Sequence, residues 1–174
     1  YDYHNLKVLL KSKYLKKDLS YLMYDIGTIP ASKITQYFND EDYGKLSPQM
    51  SFGVRKIIDE FSSKEDPQII DILLDHALYS QITDTLKKLD SPYLSELIKL
   101  MIDLANIRIF VRVKVQNKDK EFLESVLIKD GNLRFSVFTG SLPDSLDSFP
   151  DKIKHTGYSE KIREAIIEYL KDRS

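Results

Sequence analysis

A twelve-residue segment occurs twice in this chain. Asp2-Tyr-His-Asn-Leu-Lys-Val-Leu-Leu-Lys-Ser-Lys13 returns as Asp103-Leu-Ala-Asn-Ile-Arg-Ile-Phe-Val-Arg-Val-Lys114, 101 positions later. Asp, Asn and the final Lys are identical. Six further pairs keep their type: Leu6/Ile107, Lys7/Arg108, Val8/Ile109, Leu9/Phe110, Leu10/Val111 and Lys11/Arg112. Each copy is followed by an apolar stretch that ends near Gly27 or Gly131. The period is too long for a solenoid and points to duplicated helical domains of about one hundred residues.

The repeated residues have a physical logic on a helix. Asp and Asn three positions apart are neighbours on one face, here Asp2 with Asn5 and Asp103 with Asn106. They lie at the edge of the apolar stripe that begins with Leu6 or Ile107. Polar groups half-buried there need hydrogen-bond partners, so this pair is expected to fix how one helix meets the next. Lys7 and Lys11, like Arg108 and Arg112, stand one turn apart and give each copy a positive stripe. Solvation, or pairing with Asp and Glu of the same chain, is the ordinary fate of such a stripe. Its functional alternative is contact with carboxylates, or with helix C-terminal carbonyls, on a partner.

Helical period covers most of the remaining sequence. The first helix is expected from Asp2 to about Lys16. Asp18 is placed to cap a short second one bearing Leu19, Leu22, Met23 and Ile26 and ending at Gly27. Pro30 opens a third, with Ala31, Ile34, Tyr37 and Phe38 on one side. Ser47-Pro48, Asp66-Pro67 and Ser91-Pro92 each set a capping oxygen before a proline that lacks the N–H left unpaired in a first turn. The helix after Ser91 is expected to run to about Lys114 and to be the longest. Leu133 to Val137 alternates like a strand, but the repeat favours helix there. Thr139 to Thr156 reads as a loop with at most one short helix, and Ser159 as the cap of a final helix with Ile162, Ala165, Ile166, Tyr169 and Leu170 on one face.

Several function classes find no support. Lys and Arg total 26 against 27 Asp and Glu, a balance unlike that of a dedicated nucleic-acid binder. Without cysteine there is no disulfide, no thiolate zinc site and no cysteine nucleophile, which suits a reducing cytosol. No apolar run is long enough to span a membrane, and no leader opens the chain. No phosphate-binding glycine loop occurs. Asp71, Asp75 and His76, with Asp84, are the one grouping of interest for a metal-dependent hydrolase; carboxylates one turn apart are more often a solvated face. His4, His76 and His155 are scattered, and the aromatic residues fall on apolar faces, where core packing accounts for most of them. Tyr1 in place of Met, and Ser174 closing a helix, read as the ends of a fragment excised from a longer protein.

The Asp-x-x-Asn-[Leu/Ile]-[Lys/Arg] motif, carried by Asp2-Tyr-His-Asn-Leu-Lys and Asp103-Leu-Ala-Asn-Ile-Arg, resembles the C subunit of bacterial and archaeal V/A-type ATPases, a relative of the d subunit of eukaryotic V-ATPases. The resemblance implies an all-α, multihelical chain, part of a three-domain funnel: residues 1–46 ending one helical repeat, 47–156 forming a second and 157–174 starting a third. It implies a non-catalytic, cofactor-free component of the central stalk in an ATP-driven or ATP-forming proton or sodium transporter. Its partners would be central-shaft and rotor-ring subunits, at the cytoplasmic face of the membrane, with no nucleic acid and no small-molecule substrate. The rival reading of the same residues is a stand-alone helical adaptor that binds other proteins.

Overall fold

The computed structural model describes residues 1–64 and 67–171. Among them every regular element is helical, and they form two compact units, Tyr1–Ser91 and Pro92–Ser174.

The first unit contains α1 (Asp2–Leu15), α2 (Ala31–Asn39), α3 (Pro48–Lys64) and α4 (Gln68–Leu89), with 3-10 turns at Ser20–Leu22 and Tyr43–Lys45. Its core joins one face of each helix: Leu6 and Leu10 of α1, Ile34 of α2, Ile57 of α3, and Ile70 and Leu74 of α4. Gly53 lets α3 and α4 close up, because a Cβ there would stand 3.2 Å from the Ala77 methyl carbon. Ser47 caps α3 as its position before Pro48 suggests, its Oγ accepting the Met50 N–H at 3.2 Å. The matching role expected of Asp66 lies outside the described residues.

The second unit contains α5 (Pro92–Val115), α6 (Lys120–Val126), α7 (Phe135–Gly140), α8 (Phe149–Lys152) and α9 (Ser159–Lys171), with a 3-10 turn at Leu146–Ser148. At 24 residues α5 is the longest element described. Phe110, Phe138 and Phe149, all fully buried, meet with ring centroids 4.6–6.0 Å apart, the spacing at which aromatic pairs attract beyond mere burial. Of the strand-like alternation over 133–137, residues 135–137 begin α7, as the repeat suggests, while Arg134 is its extended N-cap. The Ser/Pro/Asp-rich segment that follows is not an open loop. Leu146, Phe149, Pro150 and Ile153 are buried, and two short helical turns carry them into the core. Apolar residues at i, i+3, i+4 and i+7 are present there, but polar neighbours dilute the pattern.

The duplication extends well beyond the twelve residues. Lys16 and Asn117 end their helices in the left-handed region, with φ of 52° and 51°. The next N–H in each case returns to the same register, Lys17 to the Ser12 carbonyl and Lys118 to that of Val113. Asp18 and Asp119 then both accept a backbone N–H at the start of the following turn. Beyond that point the copies differ by three residues, close to one helical turn. The second copy completes α6, whereas the first makes only a 3-10 turn. The short helix expected from Asp18 to Gly27 is therefore reduced to that turn, since Asn5 of α1 takes the N–H and C=O of Tyr24.

Candidate functional site

Asn5 and Asn106, both fully buried, use the two ends of the side-chain amide on one residue of the returning chain. Asn5 donates to the Tyr24 carbonyl at 2.7 Å and accepts the Tyr24 N–H at 3.0 Å. Asn106 does the same with Ile128, at 2.8 Å in both directions. The amide thus stands in for a backbone partner, and at Ile128 it satisfies an N–H and C=O that would otherwise be stranded inside the protein. No other side chain of this size offers a donor and an acceptor in that fork.

The aspartates work a few residues further along. Asp2 accepts the Thr28 and Ile29 N–H groups at 3.2 Å each and the Thr28 hydroxyl. Asp103 accepts the Leu133 N–H at 2.9 Å, and Tyr158 supplies its second oxygen with a hydroxyl at 2.9 Å. Tyr158 comes from the α8–α9 connection, so the second copy takes from a distant residue what the first has in Thr28. Burial, then the hydrogen bond to Asp103 and its charge, raise the Tyr158 pKa. Gly27 and Gly131 precede the clamped residues. A Cβ at either would overlap the aspartate carboxylate, and both glycines have negative φ, so close approach rather than backbone freedom requires them. The identical lysines tie down the next segment: Lys13 lies over the Phe38 ring and Lys114 donates to the Leu142 carbonyl at 2.6 Å.

On the neighbouring face the two basic stripes diverge. Lys7 reaches Asp75 at 2.6 Å and Asp71 at 3.8 Å, and Lys11 reaches Asp71 at 2.8 Å. One turn of α1 is thereby matched to one turn of α4. Tyr3 extends the same contact, its hydroxyl within reach of the Ala77 carbonyl and of Gln81, which also takes the Ser47 hydroxyl. Burial foremost pushes the Tyr3 pKa up to about 12; nearby Asp2 adds to this and the hydrogen bond with Ser47 opposes it. Arg108 and Arg112 are exposed, and their side chains have no ion pair or hydrogen bond among the described residues.

The acidic grouping weighed as a metal site is accounted for differently. Asp71 and Asp75 face the ammonium groups of α1, and Asp84 is engaged by Gln49 at 3.1 Å and Lys87 at 3.3 Å. Among the described residues no three His, Asp or Glu side chains converge as ligands. His4 contacts the Leu22 carbonyl instead. The sequence alone did not disclose Tyr158 or the two glycines as parts of the clamp. The recurrence of Gly at the end of each copy was the available signal.

Comparison with known proteins gives three results. A family model described as ATP synthase (C/AC39) subunit matches residues 1–174. A curated protein, the C subunit of the V-type sodium ATPase of Enterococcus hirae, is 24% identical over 168 residues, covering 97% of this chain and 51% of its own length. The chain thus spans about half the length of that relative. No solved structure matches.

Proposed function

We propose, from the premise that this chain belongs to the ATP synthase (C/AC39) subunit family, that it is part of the non-catalytic C subunit of a V/A-type rotary ATPase. Its task is that of a socket, joining the central shaft to the membrane rotor ring. The single observation that carries the reading is the family match across the full 1–174 span. The relative's name, which assigns it to a V-type sodium ATPase as the C subunit, points the same way.

The geometry supports a mechanical part. Torque passes through a body only if its elements resist sliding. Here two helices are stapled to the chain that returns past them by charge-assisted and bidentate hydrogen bonds, buried in the second copy and partly buried in the first. Close packing around these staples leaves little to deform. No helix among the described residues is long and apolar enough to cross a membrane, so contact with the bilayer would run through ring subunits.

Purification of the full-length parent protein from its own cells, with partners identified by mass, tests the proposal. Recovery of shaft and ring subunits is expected. Recovery of unrelated proteins in their place would overturn it in favour of a stand-alone adaptor.

A further inference from the structure

The two basic stripes occupy equivalent places, yet only one is covered. In the first unit α4 lies on α1 and brings Asp71 and Asp75 to Lys11 and Lys7. In the second unit the equivalent face of α5 borders an open groove of about 630 Å³, whose other wall is α9. On α5 the groove is lined by Leu104, Ile107, Arg108, Val111 and Arg112. Their counterparts in the duplicated segment are Tyr3, Leu6, Lys7, Leu10 and Lys11. Those are core residues of the first unit or residues bonded to α4.

Element order identifies what is missing from the face. The first unit runs α1, a turn, α2, a turn, α3, α4. The second runs α5, α6, α7, a turn, α8 and α9, so that α9, following the 3-10 turn and α8, stands where α3 stands. The helix next in that order is the counterpart of α4. We infer that the α5–α9 groove is the seat of an amphipathic helix supplied by the same polypeptide after α9, carrying two carboxylates one turn apart that pair with Arg108 and Arg112.

Charge and hydropathy agree on that occupant. Two exposed guanidinium groups flank the half-buried Leu104 and Val111, and across the groove Ile162, Ala165 and Ile166 present an apolar strip. A helix with an apolar stripe and an i, i+4 acid pair satisfies both, as α4 does on α1. Arginine holds such carboxylates in a planar fork, and burial of the surrounding apolar surface drives the docking. The inference does not depend on the rotary role and can fail while that role stands.

The test uses the full-length parent protein. Its structure is expected to show a helix of the same chain in the groove, with a carboxylate within ion-pair distance of each arginine. A groove open to solvent, or filled by another protein or a second copy, overturns the inference. The paired variant R108E/R112E is expected to lower Tm by about 3–8 °C, and exchange of the two facing carboxylates for Lys to restore at least half of that loss. An unchanged Tm, or a loss that no acid-to-Lys exchange in the following helix relieves, is equally fatal to it.

Discussion

The heaviest duty in this molecule falls on single polar side chains turned inward. Asn106→Ala removes two hydrogen bonds and strands the N–H and C=O of Ile128, which is buried. A loss of about 3 kcal/mol is expected from urea unfolding. Asn5→Ala is expected to cost less, about 1–2 kcal/mol, because Tyr24 is half exposed and water can replace the amide. Gly131→Ala drives a methyl into the Asp103 carboxylate and the Ile102 side chain, and a destabilisation of about 2 kcal/mol is expected in the same assay. Tyr158 and Tyr3 set an alkaline limit. Both pKa values are raised on folding, so the stability they confer is intact below the unfolded value of about 10 and is lost as pH rises through the folded one. Thermal melts should decline from about pH 10 upward, with a shallower slope in Tyr158→Phe. That Asp2, Asn5, Asp103 and Asn106 would need buried partners was legible from their place beside an apolar stripe. Which backbone groups they would take was not, since those lie 19 to 30 residues away in sequence.

Among the elements, α1 and α4 offer the clearest quantitative check. Lys7 and Asp75 are both partly exposed, 20% and 40% by side chain. A double-mutant cycle should therefore yield only about 0.5–1 kcal/mol of coupling, falling in 1 M salt. The helices themselves were readable from proline-anchored starts and apolar period, as α3 and α5 demonstrate. The stretch from Asp18 to Gly27 misleads for a definite reason. Its apolar residues follow a 3.6 period, but Asn5 claims the Tyr24 N–H and C=O that a helix would have paired internally. Three more residues in the second copy free enough chain for α6 to close a proper turn before the clamp begins. The complementary spacing of Lys7/Lys11 and Asp71/Asp75 was also visible in the sequence, but spacing alone did not pair them.

At the scale of the molecule, each unit carries its own apolar interior. Among the described residues, the first unit's cluster lies between Tyr3 and Leu78. Phe149→Ala opens a cavity beside Phe110 and Phe138 and is expected to cost about 3–4 kcal/mol. Hydrogen exchange should accelerate in residues 92–171 while the amides of α1 and α4 keep their protection. The boundaries expected at 46/47 and 156/157 count repeats by descent, whereas the units 1–91 and 92–174 are counted by packing; a third Asp-x-x-Asn motif farther along the parent gene is the observation that decides the former. The clamp itself has a consequence for how such a chain can diverge. Its recognition is written almost entirely in main-chain atoms, so Tyr24-Asp-Ile-Gly-Thr-Ile29 and Ile128-Lys-Asp-Gly-Asn-Leu133 share little beyond glycine and a final aliphatic residue, yet are gripped alike. The returning segment is thereby left open to mutational drift, and a new loop sequence can be installed there as long as it keeps the glycine and its distance from the helix.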